Sequence, residues 1–367
     1  MTSKERVLKA FELGIPDKIP FHAYESPEHA IRQLGREVHE MYLDPDLVPE
    51  AMINTGKLYD NDIIYFRPGR RIAASQEVIQ TDEGLAIRDR KTKDVAFRVL
   101  RDTKEMLRAT PKPEPLVKTS KDVDKISITS HQEILQYPQM TDWKRYLDEF
   151  GQDRFIFGSA CAQSANTLDA CLGTETAMIA TLTDPGLCRA IMERKYEALK
   201  EQILALKLIG VDGAYTGDAC ASCSFYSPEV YRDLFFEYHK RSIDFAHEQG
   251  LKTLLHICGR ISPILEDMAA TGADVIESLD AFSAGGDIEL KDAKQRVGHL
   301  VCLKGNLDAV SVIGKLTPEE IYRECTQAMH DTGPNGYILS TEQITRDTPR
   351  ENVLAMIQAR DDFGVRG

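Results

Sequence analysis

The segment LLHICGR contains the two side chains whose types and spacing best suit chemistry. His256 and Cys258 are one residue apart in a β-rich run, so both side chains point to the same face of a strand. A neutral imidazole and a thiolate are good zinc ligands, and a catalytic zinc site needs about three protein ligands and an open position. The pair therefore predicts part of a zinc site. The alternative is that His256 makes a core hydrogen bond and Cys258 is a packing residue.

A second cysteine motif, DACASC, places Cys220 and Cys223 in a C-x-x-C spacing. That spacing is typical of zinc and redox sites, but no second C-x-x-C and no H-x-x-x-H accompanies it. We therefore expect two small residues that pack a loop near the active site. Either cysteine stays an alternative metal ligand.

Three acidic residues follow predicted strands, namely Asp218, Glu277 and Asp280. Each is a candidate for a metal ligand, for a hydrogen-bond partner of His256 or for a substrate anchor. A solvated loop acid is the alternative for each. No G-x-x-x-x-G-K-[ST] motif and no strand-linked G-x-G-x-x-G motif is present, so the sequence does not indicate nucleotide chemistry.

The elements that position these residues are short β-rich runs that alternate with longer amphipathic stretches, which is typical of repeated βα units. Eight such runs predict a closed (β/α)8 TIM barrel, with an N-terminal elaboration, rather than an open sheet. They are KIPFHAY (18–24), DIIYF (62–66), FIFGSA (155–160), GAYTGD (213–218), TLLHIC (253–258), DVIESL (274–279), LVCLK (300–304) and YILST (337–341).

Barrels of this kind carry their chemistry at the carboxyl ends of the strands. The ends predicted here are rich in carboxylate, imidazole and thiol groups, which suit a cation better than an anion. His22 and Asn306 become candidates for substrate binding or for support of a metal ligand. The other residues at these ends are Glu25, Ser159, Cys161, Asp218, Cys220, Cys223, His256, Cys258, Glu277, Asp280, Lys304, Ser340 and Glu342.

Helix signals and turn signals complete the pattern. Ser227 and Pro228 predict a helix start and Gly250 its end, and the segment 317–333 repeats that arrangement. The insertion 67–150, after the second strand, contains the turn signals DEG and KTKD and predicts hairpins. Its proline-rich segment TPKPEP (110–115) predicts an extended surface linker.

Composition narrows the class of protein. The 367 residues are 42% hydrophobic, and we expect them to form a single barrel domain, 1–367. No apolar run of about 18 residues is present, and eight cysteines are too few for a disulfide scaffold, so we expect a cytoplasmic protein. The net charge of −13, without a clustered basic stripe, argues against nucleic acid and anionic membranes as partners.

Several segments together resemble the uroporphyrinogen decarboxylase superfamily over nearly the whole chain. The opening SKERVLKAFELGIPDKIP is similar to the start of these proteins, and GDACASCSFYSPEVYRDLFFEYHKRSIDFAHEQGLKTLLHICG is similar to their central segment. LKGNLDA resembles their "GN.D" motif, and STEQITRDTPRENVLAMI resembles the closing segment. The resemblance implies the TIM-barrel fold.

The superfamily has a decarboxylase branch and a branch of zinc-dependent corrinoid methyltransferases. The decarboxylase grips substrate carboxylates with an Arg-Gln-Ala-Gly-Arg motif directly after its first strand. Here the similar RQLGR, from Arg32 to Arg36, lies several turns later in a helical stretch. The strand ends are also mostly acidic, and carboxylates would repel a substrate that carries eight of them. The sequence therefore favours the methyltransferase branch.

That branch binds zinc through an H-x-C pair, which His256 and Cys258 match, and through a cysteine that opens a C-x-x-x-x-D-T-P stretch. Counting back from Asp347-Thr348-Pro349 places Glu342 at the position of that cysteine. The chain thus departs from the pattern by exchanging one anionic ligand for another. The resemblance implies that His256, Cys258 and Glu342 hold the zinc.

The function implied is methyl transfer between a small molecule and the cobalt of a corrinoid. The chain lacks a D-x-H-x-x-G corrinoid motif, so we expect the corrinoid on a partner protein. An O-methyl donor such as an aromatic methyl ether is favoured, with a thiol or tetrahydrofolate acceptor as the alternative. A uroporphyrinogen decarboxylase and a non-enzymatic metal- or corrinoid-binding protein remain further alternatives. A homodimer is a reasonable expectation.

Overall fold

The computed structural model describes residues 1–69, 71–82, 84–100, 106–108, 115–160 and 164–364. The strands in these ranges are β1 (Phe21–His22), β2 (Ile63–Tyr65), β3 (Gln76–Thr81), β4 (Gly84–Asp89), β5 (Val95–Leu100), β6 (Met106–Arg108), β7 (Phe155–Ser159), β8 (Gly213–Gly217), β9 (Lys252–Ile257), β10 (Val275–Ser278), β11 (Cys302–Leu307) and β12 (Tyr337–Thr341).

The α-helices in the same ranges lie between and around the strands. They are α1 (Ser3–Phe11), α2 (Pro27–Gln33), α3 (Leu47–Leu58), α4 (His131–Ile134), α5 (Met140–Phe150), α6 (Ala165–Leu172), α7 (Thr174–Thr183), α8 (Pro185–Ile209), α9 (Pro228–Val230), α10 (Phe236–Glu248), α11 (Leu265–Ala270), α12 (Leu290–Val297), α13 (Pro318–Thr332) and α14 (Arg350–Phe363).

Eight of the strands form one parallel sheet in the order β1-β12-β11-β10-β9-β8-β7-β2. Each overlaps one of the eight runs predicted from the sequence, although β1 is shorter than the predicted 18–24 and β11 extends to Leu307, beyond the predicted 300–304. Helices surround the sheet, and β1 lies beside β2 at its two ends. The predicted (β/α)8 TIM barrel is confirmed.

The seam between β1 and β2 is closed largely by side chains. The backbone N–H of Asp62 donates to the carbonyl of Phe21 at 2.9 Å. The carboxylate of Asp62 accepts the N–H of Phe21, and the side chain of Asn61 accepts the N–H of Ala23, both at 2.8 Å. The same Asp62 carboxylate forms an ion pair with Arg6 of α1. Arg360 of α14 lies 3.8 Å from its second oxygen. The side chains of Asp62 and Asn61, which accept backbone N–H groups of the first strand and the residue after it, thus help to close the barrel between β1 and β2.

The barrel interior has an apolar layer directly beneath the strand ends. Leu254, Val275 and Cys302 are fully buried and lie two residues before His256, Glu277 and Lys304. Because side chains alternate with a period of two along a strand, each of these pairs faces the same side. The apolar layer therefore supports the residues at the carboxyl ends from below.

The insertion after β2 contains the predicted hairpins. Strands β3, β4, β5 and β6 form a separate antiparallel sheet in sequence order, with turns at the predicted signals. Helix α5 follows, and its Trp143 stacks on Phe66 with 3.6 Å between ring centroids. Most of the proline-rich segment 110–115 lies outside the described residues.

The two predicted helix boundaries are confirmed. The Ser227 hydroxyl accepts the N–H of Val230 at 3.3 Å, Pro228 occupies the first helical position, and Gly250 ends the segment at φ +78°. The backbone between α9 and α10 makes one π-helical turn. Thr317 and Glu320 form a capping box at the start of α13. In the described part of the chain, no helix combines the length and apolarity needed to cross a membrane.

Candidate active site

His256 and Cys258 meet at the carboxyl end of β9. Nε2 of His256 lies 2.9 Å from Sγ of Cys258. The chain turns away directly afterwards at Gly259, whose φ is +76° and whose missing side chain leaves room for Ser224. A Cβ there would lie 2.5 Å from the Ser224 hydroxyl, so the glycine is required where it stands. The structure thus brings the imidazole and the thiol together.

A buried acid orients the imidazole. Glu277 is opposite His256 in the register of β9 and β10, and its Oε2 lies 3.2 Å from Nδ1 of His256. The other carboxylate oxygen contacts Nζ of Lys304, which is fully buried on β11. The Tyr65 hydroxyl lies 3.3 Å from both oxygens. Nδ1 is thereby occupied, and Nε2 is left to face Cys258.

Charges within this cluster stabilise one another. Burial by itself would raise the pKa of Glu277, but the Lys304 charge and the bond to His256 hold it well below its usual range. Burial acts to lower the pKa of His256, yet contacts with Cys258 and Glu277 raise it well above the ordinary value. Burial lowers the pKa of Lys304, and the Glu277 carboxylate opposes that effect. Glu277 is therefore ionised at neutral pH.

Glu342 follows β12 and faces the same space. A cavity of about 370 Å³, here called the mouth cavity, is lined by Tyr24, His256, Cys258, Glu277, Ser278, Asp280, Ala284, Glu342 and Gln343. Oε1 of Glu342 is buried without a hydrogen-bond partner among the described residues. Burial, together with the nearby carboxylates of Asp280 and Asp308, raises the pKa of Glu342 to about 8. A cation at this position would relieve that repulsion.

The donor set fits the zinc ion that the family resemblance implies. The imidazole and thiol already converge, the imidazole is held from behind by a carboxylate, and Glu342 has an orphaned oxygen in the same cavity. Within the described residues, however, no three His, Cys, Asp or Glu side chains stand close enough together to hold a metal. Coordination by all three therefore requires Glu342 to approach the pair.

Two further candidates, His22 and Asn306, do not line the mouth cavity. His22 is buried between the rings of Tyr24 and Tyr65, at centroid distances of 5.6 and 4.5 Å. Its Nδ1 has no described partner, and burial and the Lys304 charge hold its pKa well below the ordinary value. Asn306 is partly buried and is in register with Ser340.

Asp218 points its carboxylate away from His256 and Cys258, towards the start of α6. Its carboxylate is fully buried and accepts the backbone N–H groups of Ser164, Ala165 and Asn166 at 2.9, 3.2 and 2.8 Å at the start of α6. Nε2 of His239 lies 2.9 Å from the same carboxylate. Only the backbone N–H of Asp218 contacts His256, through the carbonyl of that residue. The acid thus organises the loop that leads into α6.

The C-x-x-C cysteines lie in the loop after β8, and both are partly buried. The N–H of Cys220 donates to Asn166 and that of Cys223 to the carbonyl of Arg260. Burial raises the pKa of both thiols, and the carboxylates of Asp169 and Asp218 add to the effect at Cys220. Neither residue lines the mouth cavity. Cys161, at the end of β7, lies outside the described residues.

The sequence analysis missed the residues at the end of β2. Tyr65 bonds to Glu277, and Arg67, two residues later, donates to the Tyr24 hydroxyl at 3.1 Å. The expectation that chemistry lies at the carboxyl ends of barrel strands gives candidates on the other seven strands, and it applies equally to β2. The run YFR at that strand end was the available signal.

Comparisons with known proteins agree with this architecture. A family model described as uroporphyrinogen decarboxylase (URO-D) matches residues 105–363. The methylated-thiol–coenzyme M methyltransferase of Methanosarcina mazei is 27% identical over 191 residues, which are 51% of this chain and 48% of that protein. The methylcobamide:CoM methyltransferase MtbA of Methanosarcina acetivorans is 28% identical over 154 residues, or 42% of this chain and 43% of that protein. Other relatives are named uroporphyrinogen decarboxylases.

A solved methyltransferase structure from Methanosarcina mazei matches the fold with a TM-score of 0.74 and 21% identity, over 99% of both chains. The chain spans about half or less of the length of the curated relatives that it matches. The family model, in contrast, covers well over half of the chain. The chain therefore belongs to the uroporphyrinogen decarboxylase family.

Proposed function

We propose that this protein is a methyltransferase that moves a methyl group between a small molecule and the cobalt of a corrinoid carried by a partner protein. The observation that carries the proposal is the pair of His256 and Cys258, 2.9 Å apart in a cavity at the barrel mouth and held by a buried carboxylate. The names of two relatives, a methylated-thiol–coenzyme M methyltransferase and a methylcobamide:CoM methyltransferase, support the same class of reaction.

The residues that would hold one zinc ion are His256, Cys258 and Glu342. Bound zinc would act as a Lewis acid on the heteroatom that gains or loses the methyl group. Glu277 fixes the His256 ring so that Nε2 faces the cavity, and Lys304 keeps Glu277 ionised. Such an outer carboxylate orients a ligating histidine and increases its basicity.

The finer proposal is that the methyl donor is an O-methyl compound such as an aromatic methyl ether. A carboxylate donates less electron density than a thiolate, so a His/Cys/Glu set leaves a harder metal than a His/Cys/Cys set. A departing ether oxygen gains negative charge and needs that polarisation. Glu342, standing where the resemblance implies a cysteine, is the basis for this choice.

The test is metal analysis combined with a corrinoid assay. Purified protein is mixed with a reduced corrinoid partner and methoxylated aromatics, and methylcobalamin is followed by absorbance. We expect one zinc per chain and methylation of cobalt from at least one donor. Tight metal binding without turnover for any donor or acceptor would instead indicate a binding protein.

The second candidate is methyl transfer from a methylcorrinoid to a thiol or to tetrahydrofolate. The names of the two relatives above favour a thiol. The same assay run in reverse separates the two directions. Rapid demethylation of methylcobalamin by a thiol or a tetrahydrofolate, with no methylation from any ether, would reverse the assignment.

A decarboxylase function has less support in the site. The mouth cavity is lined by the acids Glu277, Asp280 and Glu342. The arginines of the RQLGR segment lie on the surface, where Arg32 is 3.6 Å from Asp347 and Arg36 bonds to Glu40. A porphyrinogen carboxylate would thus meet carboxylates in the cavity. One tightly bound zinc per chain would argue further against this function.

A further inference from the structure

Arg67 lies at the carboxyl end of the barrel, two residues after β2. It lines a second cavity of about 500 Å³, here called the side cavity, together with Pro27, Glu28, Val48, Pro68, Gly69, Arg71, Gln139 and Gln343. Gln343 also lines the mouth cavity, so the two cavities adjoin. The Arg67 backbone is fixed because its carbonyl accepts the Tyr146 hydroxyl at 3.1 Å.

The Arg67 guanidinium makes few of the hydrogen bonds that it could donate to the described part of the chain. Nη2 donates to the Tyr24 hydroxyl, and Nε is buried without a hydrogen-bond partner. Among the described residues no carboxylate lies within salt-bridge distance of Arg67, and the buried Glu25 carboxyl interacts with it only at longer range. Arg71 in the same cavity provides the contrast, since it binds both oxygens of Asp142 at 2.6 and 2.9 Å. A largely buried cation without a counter-ion is costly, and a bound anion would remove that cost.

We propose that Arg67 binds an oxyanion group, a carboxylate or a sulfonate, on the small molecule whose other end reaches the mouth cavity. This proposal rests on the proposed function for the identity of that molecule. The planar guanidinium fork matches both oxygens of such a group. Tyr24 lines the mouth cavity and contacts Arg67, so it connects the two regions.

The charges of the two cavities orient such a ligand in one direction. The Asp280 carboxylate in the mouth cavity repels an anion, whereas the Arg67 guanidinium at the side cavity attracts one. The anionic end is therefore directed to the side cavity and the neutral methylated end to His256 and Cys258.

The test measures equilibrium binding by calorimetry with the full-length, metal-free protein. The probes are 4-methoxybenzoate, 4-methoxybenzenesulfonate and the neutral 4-methoxybenzyl alcohol. We expect at least one anion to bind roughly 10- to 100-fold more tightly than the alcohol, as for a charge-assisted hydrogen bond. The carboxylate and sulfonate arms identify which oxyanion is preferred. Arg67→Gln should abolish the preference, whereas Arg145→Gln, which removes a surface arginine paired with Asp46, should preserve it.

Equal affinity for the anions and the alcohol in the wild type, or an unchanged preference in Arg67→Gln, overturns the proposal. If circular dichroism shows that Arg67→Gln is unfolded, Arg67→Lys decides, because lysine keeps the charge and removes the fork. Unchanged anion affinity in that variant also overturns it. Because this binding test uses neither metal nor corrinoid partner, its outcome does not depend on methyl transfer. Anion binding through Arg67, combined with no methyl transfer in the corrinoid assay, would refute the proposed function alone.

Discussion

The buried carboxylate of Glu277 lies 3.2 Å from Nδ1 of His256, across the register pair that joins β9 to β10. Its other oxygen contacts Lys304 on the next strand, β11. Three neighbouring strands thus contribute one residue each to a fixed polar row. Strand pairing rather than a loop sets the direction of the imidazole, and such rigid placement is what a metal ligand needs.

Glu277→Gln is expected to weaken zinc binding about 10- to 100-fold, because the amide no longer supports the His256 ring. It also leaves Lys304 buried without a counter-ion, which should lower the free energy of unfolding by about 3–5 kcal/mol. Competition with a chelating dye measures the first effect and urea denaturation the second. Asp267→Asn, which removes a surface acid paired with Arg232, is the control and should change neither. Wild-type zinc affinity in Glu277→Gln would refute this orienting role.

Glu342→Ala should remove most of the bound zinc while the fold stays intact. Glu342→Cys should retain zinc, since it restores a thiolate ligand, and should shift activity from ethers towards thiols. Metal content by mass spectrometry and the corrinoid assay measure these effects. The matched control is Gln343→Ala, a neighbouring cavity residue that offers no anionic ligand. If Glu342→Ala keeps full zinc content and activity, Glu342 is not a ligand.

Cys258→Ser should lose zinc, whereas Cys220→Ser and Cys223→Ser should keep it. The reason is geometric, because only Cys258 contacts His256 and lines the mouth cavity. Zinc content and circular dichroism of the three variants provide the comparison. Loss of zinc in either loop variant, with retention in Cys258→Ser, would transfer the metal site to the C-x-x-C motif.

Glu25 should make the protein less stable as the pH rises. Burial raises its pKa from 4.5 to about 7, although Thr55 and Asn61 donate hydrogen bonds to it. The folded state therefore disfavours the ionised carboxylate. The free energy of unfolding falls as the pH rises from 4.5, the ordinary pKa, to about 7, the pKa in the fold. Relative to Glu25→Gln, the wild type should lose roughly 3 kcal/mol of unfolding free energy over that range.

Urea denaturation of both proteins at pH 5 and pH 8 measures this difference. Glu12→Gln is the control, because the Glu12 side chain is 67% exposed and its removal should leave the pH dependence unchanged. Parallel pH dependence in the wild type and Glu25→Gln would show that the Glu25 carboxyl does not titrate as described.

Much of the fold was predictable because its signals are local. Each barrel strand is a short β-rich run bounded by turn residues, and the caps at Ser227 and Thr317 act within one helical turn. The pairing of His256 with Cys258 was equally local, since it follows from the period of a strand. These features need no knowledge of distant contacts.

The remaining features depend on contacts between residues far apart in the chain. The sequence shows an acid at Asp218, but not that three amides of α6 and His239 converge on it. It shows Glu342, but not that Asp280 and Asp308 raise the pKa of its side chain. The sequence also shows Arg67, but not that its Nε is buried without a hydrogen-bond partner among the described residues, because that depends on the folded positions of distant side chains.

The contacts of Asp62 connect the first and last helices to the junction of β1 and β2, where the barrel closes. Asp62 holds β1 against β2 and at the same time meets Arg6 of α1 and Arg360 of α14. Parting of the two strands would therefore release both helices in one event. Amide hydrogen exchange should show α1 and α14 opening as a single cooperative unit with the seam. Asp62→Asn should accelerate exchange in both helices together, more than in α8, which has no described contact with Asp62.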